Sequence, residues 1–398
     1  MKAGSRSSTC LVLCVCAATW FVGGAAALGD TVTKVGDTIT LVSANGSLFD
    51  PYTEGLLSFG SQTFSSGTLR FDTDNVRYST DDGSSWTYLT DGSQNIKQYG
   101  RSANEYVELG FFVFDELDIG SVTVTVTGAR GLALVSRGGL TLNTTIDVTG
   151  QTITGNTGGD GGPGGHQNAL GLPAYNDTGG DGGNQGTDGV GPGRGDGFFG
   201  LAGAGSYGGT GAGSQAGVGE YGTRQLTTLY GGSGGGGGKT GSGGAAGSGA
   251  GGSIELLSMA TLTLESSARL YANGGCACAA GTTYNGGGGS GGGIILAAAS
   301  EFFLNSDARI QAKGGNSARG RGAGGGRVAF YCDTLTYSGT YNSGVTLGDG
   351  SVADVPSVVS ISGGVAGEGD GNGEIGTWYQ AECPVEPPPP AGTMIVID

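Results

Sequence analysis

The sequence predicts an all-β chain, a right-handed parallel β-helix with long glycine-rich loop insertions and an N-terminal antiparallel β capping segment. Three observations carry that expectation. The stretches Ser253 to Gly275 and Gly293 to Gly315 repeat one another at a spacing of forty residues, with apolar side chains at the same parity in both. Within each copy, alternating apolar pairs recur about every eight residues, which suits short strands joined by turns. Glycine tracts follow the copies at Gly286 to Gly293 and Gly314 to Gly326, as loops leaving one corner of a coil would.

The chain opens with Lys2 and Arg6, an apolar run from Cys10 to Val22, and the small residues Ala25 to Ala27. This is the pattern of a secretory signal peptide over residues 1–28, so the product is expected outside the cell. No later stretch is apolar for long enough to span a bilayer. The C-terminus carries no hydrophobic tail of the kind a lipid-anchor signal needs. A soluble product, or one held at the cell surface by something else, is expected.

Residues 29–110 hold less glycine and more aromatic residues, and alternating runs such as Thr38 to Val42 and Thr68 to Phe71 read as antiparallel strands. Such a segment would cap the open end of a coil, where strand edges and core would otherwise face water.

Residues 111–350 hold the repeat itself. Ile254 and Leu256, Leu262 and Leu264, and Leu270 and Ala272 form apolar doublets, matched by Ile294 and Leu296, Phe302 and Leu304, and Ile310 and Ala312. Side chains two residues apart on a strand share a face, so each doublet points to one side. The same rhythm appears upstream at Leu132 and Leu134, Leu140 and Leu142, and Ile146 and Val148, and downstream at Val328 and Phe330. One coil cannot bury its own apolar face, and stacked coils can. Four to six coils are expected.

Glycine supplies 90 of the 398 residues, most densely between 155 and 252. A flexible linker is one reading of that block. The other is a packed insertion of extended or left-handed threefold segments, in which only glycine permits close backbone approach. Leu170, Leu172, Phe198, Phe199, Leu201, Tyr207 and Tyr221 interrupt the block, as a spacer would not require. Residues 351–398 lose the rhythm and read as an irregular tail, with Pro387 to Pro390 as a stiff spacer before the strand-like Met394 to Ile397.

With 18 basic against 34 acidic residues, the net charge of −16 argues against nucleic acid and anionic membranes as partners. Of seven cysteines, Cys10, Cys14 and Cys16 leave with the signal. Cys276, Cys278, Cys332 and Cys383 remain as disulfide candidates, with Cys276 and Cys278 each expected to bridge to Cys332 or Cys383; a zinc site is the alternative, although the spacing matches no common finger. Sequons at Asn45, Asn143 and Asn176 are glycosylation candidates.

Candidate chemistry is sparse. The lone histidine, His166, has no serine or cysteine in a nucleophile context beside it, which disfavours triad hydrolysis. Gly238-Lys239-Thr240 carries the end of a phosphate-binding loop without its first glycine or a following helix pattern. Arg269 and Arg309 sit at equivalent, outward positions of successive copies; they form either a solvated ladder with Glu265 or Asp307 or part of a polysaccharide-cleaving site. Arg194-Gly195-Asp196 is the integrin attachment tripeptide, which a glycine loop would expose. Asp160, Asp181 and Asp188, and the alternating Glu368, Asp370, Asn372 and Glu374, can offer oxygen ligands to calcium or be plain solvated turns. No other cofactor is indicated.

Two resemblances add to this reading. Gly138 to Gly150, Gly251 to Leu256 and the glycine tracts make about 111–347 similar to the glycine-rich parallel β-helix regions of secreted adhesin-like or matrix-like surface proteins. That resemblance implies fold and an extracellular role, and transfers no catalytic residue. Ser79-Thr80-Asp81-Asp82-Gly83-Ser84-Ser85-Trp86 resembles an Asp box, which implies a hairpin tied by the aspartate with the tryptophan packed beneath. Sialidases carry several such boxes with an arginine cluster, neither of which is evident here.

The expected function is therefore a secreted, non-enzymatic structural or adhesive rod in cell-surface or matrix assembly. Its partners would be extracellular glycans or surface proteins, with lateral self-association as a further mode. The alternatives are an extracellular polysaccharide lyase or hydrolase on the same fold, and cell attachment through Arg194 to Asp196.

Overall fold

Alternating apolar and polar residues do give strands. The computed structural model describes residues 31–42, 56–102, 105–153, 158–164, 186–198, 200–213, 219–240, 243–277, 286–367 and 371–381, and among these there are strands and connecting segments but no helix. The sheets are mostly mixed, the largest having thirteen strands. The leader 1–28 and the proline run lie outside the described residues.

The forty-residue repeat is a hydrogen-bonding register. The strand Ser253–Ser258 pairs in parallel with Gly293–Leu304, setting Ile254 against Ile294 and Leu256 against Leu296. Farther along, Leu262 faces Phe302 and Leu270 faces Ile310. The upstream doublets join on the other side, Leu132 against Ile254, Leu140 against Leu262 and Ile146 against Leu270. Downstream, Arg327–Tyr337 sets Val328 against Ile294 and Leu335 against Phe302. The doublets belong to one continuous core, which runs from Phe64 to Trp378 in sequence.

The opposite faces of Gly131–Ser136, Ser253–Ser258 and the first half of Gly293–Leu304 are also buried. A second core explains this. Ala133, Val135, Leu257, Ile295, Ala297, Ala329 and Tyr331 pack under Tyr207, Leu226 and Leu229, which come from the glycine-rich block. Apolar residues in that block thus cover a sheet face.

The N-terminal segment is not wholly antiparallel. Thr31–Val35 with Thr38–Val42, Thr68–Asp72 with Arg77–Ser79, and Gln94–Ser102 with Glu105–Phe114 are antiparallel pairs. Yet Gln62–Phe64 pairs in parallel with Leu117–Ile119, and Thr68–Asp72 with Thr123–Thr127. Residues from Gln62 onward therefore already join the parallel stack. The other end continues as well: Val359–Ser360 pairs with Arg309–Gln311, and Thr377–Ala381 pairs with Arg327–Tyr337, setting Trp378 against Val328. Beyond 351 the strands are Val352–Pro356, Val359–Ser360 and Thr377–Ala381, the first of them in an antiparallel hairpin with Tyr341–Thr346.

Where the glycine-rich segments are described, they pack as neighbours with hydrogen bonds in several directions. Along 287–292 the amides of Gly287 and Ser290 donate to Gly236 and Ser233, those of Gly288 and Gly291 to Arg321 and Gly324, and those of Gly289 and Gly292 to Gly275 and Ala272. The period is three. A left-handed extended helix has three residues per turn and normally leaves its backbone to water; here adjacent segments take the place of water. Residues 322–326 repeat the pattern, Gly322 and Gly325 donating to Gly371 and Glu374, and Ala323 and Gly326 to Gly315 and Ala312. A Cβ on Gly291 or Gly292 would lie within 3.0 Å of the carbonyl oxygen of Ala312 or Gly252. Serine occurs where its hydroxyl finds partners: buried Ser248 donates to Gly275 O at 2.6 Å and accepts from Gly289 N at 2.8 Å.

Candidate functional site

On the lateral sheet the side chains between the inward doublets face out and line up across six strands. Thr63 faces Asp118, Asp118 faces Thr141, Thr141 faces Thr263, Thr263 faces Phe303, and Phe303 faces Thr336. Parallel pairing repeats this row about every 4.8 Å. Two shallow grooves lie on it. One, of about 260 Å³, is lined by Thr263, Glu265, Phe303, Asn305, Thr336 and Ser338; the other, of about 350 Å³, by Gln62, Thr63, Glu116, Asp118 and Thr141. Phe303 is 38% exposed, an aromatic face among hydroxyl and carboxylate groups. The Thr336 hydroxyl is fixed by Glu301 Oε1 at 2.7 Å.

Arg269 and Arg309 do stack in register. Their guanidinium groups turn back to their own turns, Arg269 Nη1 donating to Ser266 and Ala268 carbonyls, and Arg309 Nη1 to Ser306, Asp307 and Ala308 carbonyls. Neither is ion-paired with Glu265 or Asp307. Both close turns.

In Arg194-Gly195-Asp196 the Arg194 side chain is exposed while the backbone is held by its neighbours. Gly195 is buried and donates to Gly234 O, and Asp196 O accepts from Gly203 N, so the triplet is threaded into the packed glycine segments. Arg194 Nε lies 3.6 Å from Asp188 Oδ2.

The calcium candidates that are described are spent on backbone amides or stand apart. Asp188 accepts from Gly197, Asn372 from Ala366 and Glu374 from Thr210. Asp160 is exposed, and its own amide is held by Gln151. Among the described residues no group of three or more His, Cys, Asp or Glu side chains is arranged for a metal ion. Asp181, Glu368 and Asp370 lie outside the described residues, as do His166, Cys278, Cys383, Asn45 and Asn176. Cys276 is half-buried and Cys332 lies in the main core, with no disulfide between them. Asn143 Oδ1 accepts the Ser267 amide at 3.1 Å.

The segment around 79–86 forms a hairpin, Tyr78 bridging Thr87 in antiparallel fashion. Asp81 accepts the Ser79 hydroxyl at 2.6 Å, the Ser85 amide at 2.8 Å and the Ser85 hydroxyl at 2.5 Å. Hydrogen bonds from Ser79 first, then Ser85, hold its carboxyl down to about 2. Trp86 departs from expectation. It is half-exposed, with the Arg77 guanidinium 4.2 Å and the Arg70 guanidinium 5.9 Å from its ring. Arg70 and Arg77 lie on two antiparallel strands, and only the fold brings them to one tryptophan. The alternation Leu69-Arg70-Phe71 was the available signal: it marks Arg70 as outward.

No protein family model, no curated protein and no solved structure matches this chain. No helix among the described residues is long and apolar enough to cross a membrane.

Proposed function

We propose that the chain is a secreted, non-enzymatic structural protein. In this reading it is a right-handed parallel β-helix that serves as a rigid spacer in cell-surface or matrix assembly, meeting extracellular glycans or neighbouring surface proteins along its outward row. The observation that carries it is the in-register row from Thr63 to Thr336, which gives a partner a periodic, laterally extended contact instead of a single cleft. The cross-linked glycine segments support it, because they stiffen the side of the stack that composition alone would leave soft. The local commitment of Arg269 and Arg309 to turn carbonyls weighs against the polysaccharide-cleaving alternative.

The test is fractionation of the cells that make the chain. The tagged protein is expected in the washed surface or matrix fraction, and a triple variant Thr263→Lys, Phe303→Ser, Thr336→Lys is expected to be released into the medium. Recovery in the cytosol overturns the reading. New chain ends from purified protein on acidic or neutral polysaccharides, with or without calcium, would replace it with the enzymatic one.

A further inference from the structure

The Asp-box hairpin brings a guanidinium without a counter-charge to an aromatic surface. Arg77 is neutralised: Nε lies 2.8 Å from Asp72 Oδ2, and Nη1 donates to Tyr88 at 2.7 Å. Arg70 is different. It forms none of the ion pairs of the described residues, and its Nε is buried without a hydrogen-bond partner. A buried donor without a partner calls for an explanation. In a chain of net charge −16, carboxylates were plentiful.

Three groups converge there. A Cβ placed on Gly83 would meet Arg70 Nη1 at 3.3 Å and Trp86 Cζ2 at 3.4 Å, so the side-chain-free turn lets the guanidinium and the indole come together beside it. Gly83 has φ +90, a left-handed backbone that keeps other residues out. Thr125, on the neighbouring strand, stands directly beside Arg70 and is exposed. Asp81 is occupied by Ser79 and Ser85, while Asp82 is exposed.

We propose that Arg70, Trp86 and Thr125 form a binding site for an acidic saccharide. The two Nη groups of the guanidinium would take a carboxylate or sulfate end-on through two parallel N–H···O bonds. The apolar face of the sugar ring would rest on Trp86, and Thr125 would bond a ring hydroxyl. The site lies on a different sheet from the Thr63 to Thr336 row, and it stands independently of the spacer reading.

Calorimetric titration of the full secreted chain tests it, with polygalacturonate as the carboxylated probe, dextran sulfate as the sulfated probe and dextran as the neutral one. Binding to at least one acidic polymer and none to dextran is expected. Arg70→Gln should weaken it by about ten-fold or more, whereas Arg309→Gln, the same charge change on another sheet, should leave it unchanged. Arg70→Lys retains the charge but not the fork. It should bind more weakly than the parent at an unchanged circular dichroism spectrum, which separates lost recognition from lost folding. Equal weakening by Arg70→Gln and Arg309→Gln, full affinity in Arg70→Lys, or no binding to either acidic polymer overturns the proposal.

Discussion

Lys97 and Glu255, separated by 158 residues, form an ion pair of 2.7 Å whose side chains are 1% and 0% exposed. The pair joins the N-terminal strand Gln94–Ser102 to the repeat strand Ser253–Ser258, and Phe111 covers the ammonium with its ring centroid 5.2 Å away. Two desolvated charges that satisfy one another add little net stability, but removing one strands the other. Glu255→Gln is expected to lower unfolding free energy by about 3 to 5 kcal/mol, and the double replacement Lys97→Met, Glu255→Leu to recover most of it. Urea unfolding with an unchanged slope is the measurement.

The glycine segments make a sharper prediction. Gly292→Ala would push a methyl within 3.0 Å of the Gly252 carbonyl oxygen, whereas a methyl at Gly139 meets nothing nearer than 3.7 Å. Gly292→Ala should cost about 3 kcal/mol or more, the upper range for overpacking. Gly139→Ala should fall within about 0.5 kcal/mol of the parent. Equal thermal midpoints for the two variants would show that the segments do not pack in this way.

Trp378 tests whether the last strand belongs to the stack. Its ring meets Phe330 edge-on at 4.3 Å, and Phe330 meets Phe302 at 4.9 Å, so three successive strands share one aromatic column. Trp378→Ala should destabilise the whole chain by about 3 to 5 kcal/mol, in one cooperative transition. A separate early transition confined to the C-terminal residues would contradict it.

Asp81 fixes the sign of an acid response. Its carboxyl titrates at about 2 instead of the ordinary 3.8, so the hairpin contribution is complete above 3.8 and is lost as pH falls through about 2. Trp86 fluorescence should therefore hold steady down to about 3.8 and then change, and Asp81→Asn should remove that change. A response centred near neutrality would refute the assignment.

Much of the fold was legible because strand registers follow side-chain parity. The spacing that separates Ile254 from Ile294 in the sequence is the one that pairs them, and the same holds for Leu262 with Phe302. Val359–Ser360 was not legible, because two residues carry no periodicity and the hairpin at Tyr341 breaks the interval before it. The ordering of the glycine segments was open for a different reason: their partners are backbone groups, which every residue has, and a run of glycine has no side chains to show which face is buried. Of the candidate site residues, Arg269 and Arg309 stood where parity put them, but their hydrogen bonds depend on turn carbonyls that no pattern reveals. Arg70 and Trp86 meet through pairing across a hairpin and were invisible in linear order.

The three directions of hydrogen bonding around Gly287 to Gly292 have a mechanical consequence. A sheet tears along the plane where its bonds are parallel, but a bundle tied on three sides offers no such plane. Traction along the chain must break bonds to several neighbours at once, so the portion of the molecule whose composition suggests a tether is the portion built as a brace.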